Sequence, residues 1–389
     1  MCSTVSAERR RLLVAAGALG LTASGLSGCA AGGARAIASA DGDADFEARW
    51  QRFCAGLPAR MQVRHVPGLA LLVARPGEAP RRFTHGQLGG SGPLATRPVT
   101  PDTVFEAASM SKPIFAWLVL AEVQAGRLAL DQPLDQLWPP APMPLPAELM
   151  RRITPRLLLS HGAGLPNWRA GGDLAPLRPE AQPGERFLYS GEGYQLLQQA
   201  LEWVCGMSLD LLARRRLFAP LGLNASSFVH DPLLDGQRAR GHDPEGRPLP
   251  REDYLRANAA YTLYTSAADY LRLLQALMDP PPTLPAALSA AMVAQMLSPQ
   301  RQADDRPPVA RPGQLTGEAV HWGLGWVLEP RRGPGGARER IAYHSGSNST
   351  GYRSYAQFCP ERRSAMVMMC NGLGGDLVWR GLAAELGDA

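Results

Sequence analysis

The chain has 389 residues, 45% hydrophobic and 19% charged, with a net charge of +5. That is enough apolar surface for a substantial core, and too little charge for a disordered chain or a coiled coil. No block of basic residues with interleaved aromatics occurs, which gives nucleic-acid binding little support and favours a mildly basic globular protein.

Residues 1–35 have the pattern of a targeting segment. Arg9, Arg10 and Arg11 form a positive start, and no charge follows from Leu12 to Ala34. The stretch is rich in Ala, Gly and Ser, which suits a cleaved signal better than a membrane span. It closes on Leu26-Ser27-Gly28-Cys29, similar to a bacterial lipobox, and Arg9-Arg10 with Leu12-Leu13 resembles a twin-arginine signal. The expectation is a signal peptide over 1–28, acylation of Cys29, a flexible tether over 29–44, and a single domain over 45–389. Such a chain is exported, anchored by lipid to a bacterial cell membrane, and faces the periplasm or cell exterior.

The domain opens with an amphipathic helix over 45–62, with Phe46, Trp50, Phe53 and Leu57 on one face. GLALLVARP (68–76) reads as a buried strand, paired with RRFTHGQLG (81–89) across a Gly77–Pro80 turn. A helix follows from about 109 to 125, stopped by Gly126. A mainly helical region is expected over about 127–330. It includes a helix near 192–205 capped by Gly206 and another starting at Ser266, where Asp269 makes a partial capping box. Proline-rich loops fall at 139–146, 280–285 and 305–312. Strands are expected near 339–344, 351–358 and 364–371, then a helix over 376–387. Strands at both ends and helices between predict an α+β fold: an antiparallel sheet flanked by helices, a helical lobe, and a cleft between them.

Cys54, Cys205, Cys359 and Cys370 show no CxxC spacing, so a zinc or thioredoxin-like site has no support. A hairpin turned at Pro360–Arg363 would set Cys359 opposite Ser364 and Cys370 opposite Arg353. That register argues against a Cys359–Cys370 disulfide, and all four are expected to be buried thiols. The seven histidines show no metal-binding spacing, and no G-x-S-x-G surrounds any serine.

The chemistry concentrates in FEAASMSK (105–112). Of 40 basic residues, Lys112 is the one lysine. Ser109 stands three before it, so the two share a face at a helix start. An arginine cannot release its proton at useful pH, whereas a desolvated lysine can. A Ser–Lys pair thus supplies a nucleophile and a proton acceptor, and the helix N-terminus adds N–H groups at the same spot.

FEAASMSK is followed by LLSHGAGL (158–165), PGERFLYSGEGYQLL (183–197), HWGLGW (321–326) and YHSGSNSTGYRS (343–354). Together these resemble, in order and over roughly 60–389, the serine β-lactamase-like hydrolases. That family includes class C β-lactamases, D-alanyl-D-alanine carboxypeptidases, D-aminopeptidases and family VIII esterases. The resemblance implies Ser109 as the acylated nucleophile, Lys112 as its partner, and Tyr189 as a phenol that moves protons to and from the serine, leaving group and deacylating water. It implies an oxyanion hole from the backbone N–H groups of Ser109 and Ser347. His344, Ser345 and Gly346 fall at the family's K-T-G strand, and Asn348 lies close enough to be a substrate contact.

Two departures stand out. The family's Y-x-N is here Tyr189-Ser190-Gly191, which removes an asparagine side chain, disfavours β-lactam hydrolysis and is expected to widen the cleft. His344 replaces a permanent cation, so an activity optimum above about pH 8 is expected. His161 is expected in a hydrogen-bonded core or loop role, and Trp322 and Trp326 in core packing. The reading is a cofactor-free serine hydrolase working through an acyl-enzyme on small ester or peptide-like substrates, with no metal and no nucleic acid. The alternatives are a D-alanyl-D-alanine carboxypeptidase, a β-lactamase, or a non-catalytic cell-envelope binding module.

Overall fold

A computed structural model describes residues 40–138, 145–171, 175–303, 319–333, 336–379 and 382–386. The signal segment, Cys29 and the proline-rich stretch 305–312 lie outside the described residues, as does most of the loop 139–146. Helix α1 spans Ala40–Val63, beginning within the stretch expected to be tether.

Eight antiparallel strands form the main sheet: β1 (Gly68–Ala74), β2 (Arg81–Gly86), β5 (Arg301–Gln302), β6 (His321–Trp322), β7 (Val327–Arg332), β8 (Arg338–Ser347), β9 (Arg353–Cys359) and β10 (Ser364–Cys370). Their order is β2-β1-β10-β9-β8-β7-β6-β5. A separate two-stranded ribbon pairs β3 (Val104–Glu106) with β4 (Tyr264–Ser266).

The apolar run of β1 has a simple cause. Ala70, Leu72 and Ala74 face the large core under the helices, and Leu69, Leu71 and Val73 face a second core. That second core is closed by Phe46, Trp50, Phe53 and Leu57 of α1 and by Val378, Leu382 and Leu386 near the C-terminus. A strand covered on both faces has no solvent side, so its sequence does not alternate. β10 repeats the pattern, with Val367 and Met369 on one face and Met366 and Met368 on the other.

The β9–β10 register pairs Cys359 with Ser364 and Cys370 with Arg353, as the hairpin reading expects. All four described cysteines are free; Cys205 is half-buried where full burial was expected. The helical region ends earlier than expected. Arg301–Gln302, His321–Trp322 and Val327–Arg332 belong to the sheet, and His321 pairs Leu328 and Trp322 pairs Val327 across the turn 323–326.

Three helices matter for the site. α2 (Ser111–Gln124) is buried from Ser111 to Glu122. α3 (Gly191–Cys205) is capped by Ser190, whose side chain accepts from Gly193 N–H, and ends on Gly206 at φ +62°. α4 (Ala267–Met278) starts at Ser266, whose hydroxyl accepts from the Asp269 N–H at 3.1 Å.

Candidate active site

The short ribbon strand β3 delivers the chain to Ala107, whose N–H donates to the Leu263 carbonyl at 2.8 Å. Ala108 then adopts φ +48°, a left-handed conformation that a residue with a Cβ seldom takes and that persists only where surroundings enforce it. Ser111 enforces it: its hydroxyl donates to the Ala108 carbonyl at 2.7 Å and accepts the Leu263 N–H at 2.9 Å. Tyr270 adds a hydrogen bond to the Met110 carbonyl at 3.0 Å. A single 3-10 turn, Ala108–Met110, thus runs straight into α2. From Thr103 to Glu122 every residue is buried except Ser109.

Lys112 lies behind that serine and is 1% exposed. Its Nζ is 3.3 Å from Ser109 Oγ and donates to the Ala260 carbonyl at 2.9 Å. The faces of Tyr189 and Tyr194 lie 4.7 and 5.6 Å from the nitrogen. Among the described residues no carboxylate is bonded to it, and burial lowers its pKa to about 7.

Tyr189 Oη is buried without a hydrogen-bond partner of ordinary geometry. Burial raises its pKa, and the nearby Ser109 hydroxyl opposes that only in part, so the group is a phenol across the working range. The ring packs 4.4 Å from the His161 imidazole, which takes φ +57°. His161 Nδ1 accepts the Ser190 N–H at 3.0 Å, and burial holds it neutral. This is the hydrogen-bonded loop role expected for it. Trp322 (0% exposed) stacks edge-on against His161 at 4.6 Å and His344 at 5.5 Å, while Trp326 (1%) packs on Phe358 at 4.9 Å. Both are core residues, and Trp322 also supports the site from behind.

β8 passes next to the nucleophile turn. A Cβ on Gly346 would run into the Ala107 carbonyl oxygen, so only glycine lets the two backbones meet here. Ser354, its register partner on β9, donates to the same carbonyl at 3.0 Å. Ser347 is the next residue, exposed at the end of β8, and Ser345 is half-buried. His344 is fully buried; its Nδ1 lies 2.7 Å from the Ser345 carbonyl, which makes Nδ1 the protonated nitrogen and leaves Nε2 as an acceptor. Burial and the Lys112 charge lower its pKa to about 3, so the imidazole supplies no positive charge at neutral pH.

Asn348 is turned inward rather than toward a substrate. Its Nδ2 donates to Glu106 Oε2 at 2.8 Å and its Oδ1 accepts the Tyr352 N–H at 3.1 Å. Glu106, three residues before Ser109 and 1% exposed, also accepts from Thr350 (2.6 Å), Tyr254 (3.0 Å) and Arg238 (3.2 Å). Burial raises its pKa, against the hydrogen bonds and the Arg238 charge. One carboxylate therefore ties the strand before the nucleophile to the turn after Ser347.

Gly191 does not widen the cleft. A Cβ there would lie 2.7 Å from Cζ2 and Cζ3 of Trp168 and closer still to Cη2, so the indole already fills that space.

Comparison with known proteins bears on the family and the fold. A family model described as Beta-lactamase matches residues 55–387. The chain belongs to the β-lactamase family. Among curated relatives of this β-lactamase-family chain is penicillin-binding protein 4 of Amycolatopsis lactamdurans, 31% identical over 334 residues, which are 79% of this chain and 81% of that one. Esterase EstB of Burkholderia gladioli is 29% identical over 283 residues, covering 59% of this chain and 70% of the esterase. The fold matches that of the octameric penicillin-binding protein homologue from Pyrococcus abyssi, with a TM-score of 0.70 and 24% identity over 87% of this chain and 78% of that one. The expected family, the α+β fold and the class of acyl-enzyme serine hydrolases are thus established.

The fold brings together Ser109, Lys112, Tyr189 and His344, with Ser347 alongside. Sequence reasoning missed Glu106, Ala260 and Trp168. An acid inside an apolar strand was a signal for Glu106; a backbone carbonyl such as that of Ala260 leaves none. Among the described residues, no group of three His, Cys, Asp or Glu is placed to hold a metal ion.

Proposed function

We propose that the chain hydrolyses small esters or peptide-like amides with Ser109 as nucleophile, Lys112 as base and Tyr189 as proton donor. Ser109 carries the proposal, because it is the one residue not buried in a twenty-residue stretch and lies 3.3 Å from a lysine whose pKa is near 7. Above that pH the neutral amine takes the Ser109 hydroxyl proton as Oγ attacks the carbonyl carbon. The N–H groups of Ser109 and Ser347 hold the developing oxyanion. Tyr189 gives its phenolic proton to the departing oxygen or nitrogen and is reprotonated by Lys112. Water then attacks the acyl-enzyme while the same groups run in reverse.

An ester or peptide-like substrate is favoured over a β-lactam on two grounds. Position 191 offers no side chain to an acylamino group, and His344 is uncharged where the family's strand carries a cation. The relatives, a penicillin-binding protein and an esterase, support both substrate classes. The test is turnover of a short-chain nitrophenyl ester beside a chromogenic cephalosporin. Ester turnover with no cephalosporin hydrolysis supports the reading, and efficient cephalosporin turnover overturns the preference.

The proposal extends to an exported enzyme held on a membrane by acylated Cys29, on the strength of the lipobox-like Leu26–Cys29. No helix among the described residues is long and apolar enough to cross a membrane. Metabolic labelling with palmitate should tag the wild type, and Cys29→Ser should lose both the label and the membrane fraction.

A further inference from the structure

Trp168 is 46% exposed, yet its backbone neighbours are fixed. Asn167 accepts the Gly191 N–H on Oδ1 at 3.0 Å and the Glu192 N–H on its carbonyl at 3.1 Å. Arg169 binds the buried Glu192 through its backbone N–H at 2.9 Å and its guanidinium at 2.5 Å. The indole is thus presented on a rigid mount, with its benzo ring against the bare Cα of Gly191. The Tyr261 ring meets it edge-on, with centroids 5.5 Å apart and planes at 88°. Both anchoring points adjoin the catalytic groups. Gly191 is two residues past Tyr189, and Tyr261 follows Ala260, whose carbonyl takes the Lys112 amine.

We propose that Trp168 and Tyr261 form an aromatic subsite at the rim of the Ser109 cleft that takes a planar apolar substituent, an aryl or arylalkyl group, of the ester or amide. A solvent-exposed indole face beside a second ring offers apolar area and edge-to-face or stacked geometry at little entropic cost. Position 191 is glycine because any side chain would evict the indole. The absence at 191 is thus matched by a presence at 168, and the site exchanges a polar contact for an aromatic one.

This inference rests on the reading of Ser109 as an acyl-transfer nucleophile, and its test separates the two. Hydrolysis of ethyl acetate, ethyl phenylacetate and benzyl acetate by the full-length protein in detergent is followed in a pH-stat, beside Trp168→Ala and Gly191→Ala. The wild type should prefer one phenyl-bearing ester over ethyl acetate in kcat/KM. Which of the two it prefers assigns the subsite to the acyl or the alcohol side. Trp168→Ala should lower that preference about three- to tenfold, mainly through KM, with ethyl acetate turnover little changed. Gly191→Ala, which keeps the indole but displaces it, should do the same. A preference untouched by both substitutions, or no aryl preference in the wild type, overturns the subsite while leaving the nucleophile intact. Failure to hydrolyse all three esters, with no Ser109 adduct from a fluorophosphonate, overturns the reading beneath it.

Discussion

Lys112 Nζ stands between two oxygens, 2.9 Å from the Ala260 carbonyl and 3.3 Å from Ser109 Oγ. The carbonyl can only accept, so the amine donates to it in either protonation state. A neutral amine then has its lone pair free for the serine proton.

With the Lys112 pKa at about 7, kcat/KM for an uncharged ester should rise through a midpoint near pH 7 and level off above about pH 8. The sequence alone suggested an alkaline optimum from the loss of a permanent cation at His344. The structure assigns its origin to Lys112, because burial holds Tyr189 as a phenol. His344→Gln should leave the midpoint in place, since His344 is neutral above about pH 3. The pH–rate profiles of the two proteins check this.

The same burial affects stability. A lysine with its folded pKa lowered to about 7 binds fewer protons than the unfolded chain between pH 7 and its ordinary value of 10.5. Stability therefore rises with pH across that window, and the penalty is fully present below it. Lys112→Met removes this linkage. Wild type minus variant stability should increase on the order of a few kcal/mol from pH 7 to pH 10, measured by urea melts. Activity of the variant should fall at least about a thousandfold, because the base is gone.

Glu106 and Arg238, each about 1% exposed, form a buried ion pair. Glu106→Gln removes one of two counter-charges from the guanidinium, leaving that of Asp253 at 2.6 Å, and loosens the turn after Ser347. We expect a loss of about 3 kcal/mol in stability and about tenfold in kcat. In the double variant Glu106→Gln/Arg238→Met, the losses should be less than additive by about 1–3 kcal/mol.

The free thiols should be quiet. Burial raises Cys54 and Cys370 to about 12 and Cys205 and Cys359 to about 11. A chain starting at residue 45 should react slowly with a thiol reagent at pH 8 while folded, and yield four thiols when denatured without reductant. A yield of two would reveal a disulfide.

What the sequence disclosed was local. The doubly buried strands β1 and β10, the Ser109–Lys112 spacing and the Cys359–Ser364 register each follow from residues close together in the chain. What it concealed depends on distant partners. Strands β5 and β6 are two residues each and gain their identity only by pairing. Glu106 meets Arg238, Asn348 and Thr350 from over a hundred residues away. Gly191 announced a missing side chain, but nothing at position 191 told that Trp168 fills the space. Asn348 looked available to substrate because its acceptor, Glu106, lay in another motif.

The central claim is that Ser109 is acylated with Lys112 as its base. The most direct measurement is the rate of fluorophosphonate labelling as a function of pH, read by intact mass and peptide mapping in wild type, Ser109→Ala and Lys112→Met. The account predicts one adduct on Ser109, a labelling rate that climbs through a midpoint near pH 7, no adduct in Ser109→Ala, and slow labelling without that midpoint in Lys112→Met. Equal labelling of Ser109→Ala, or an unchanged pH profile in Lys112→Met, would contradict it.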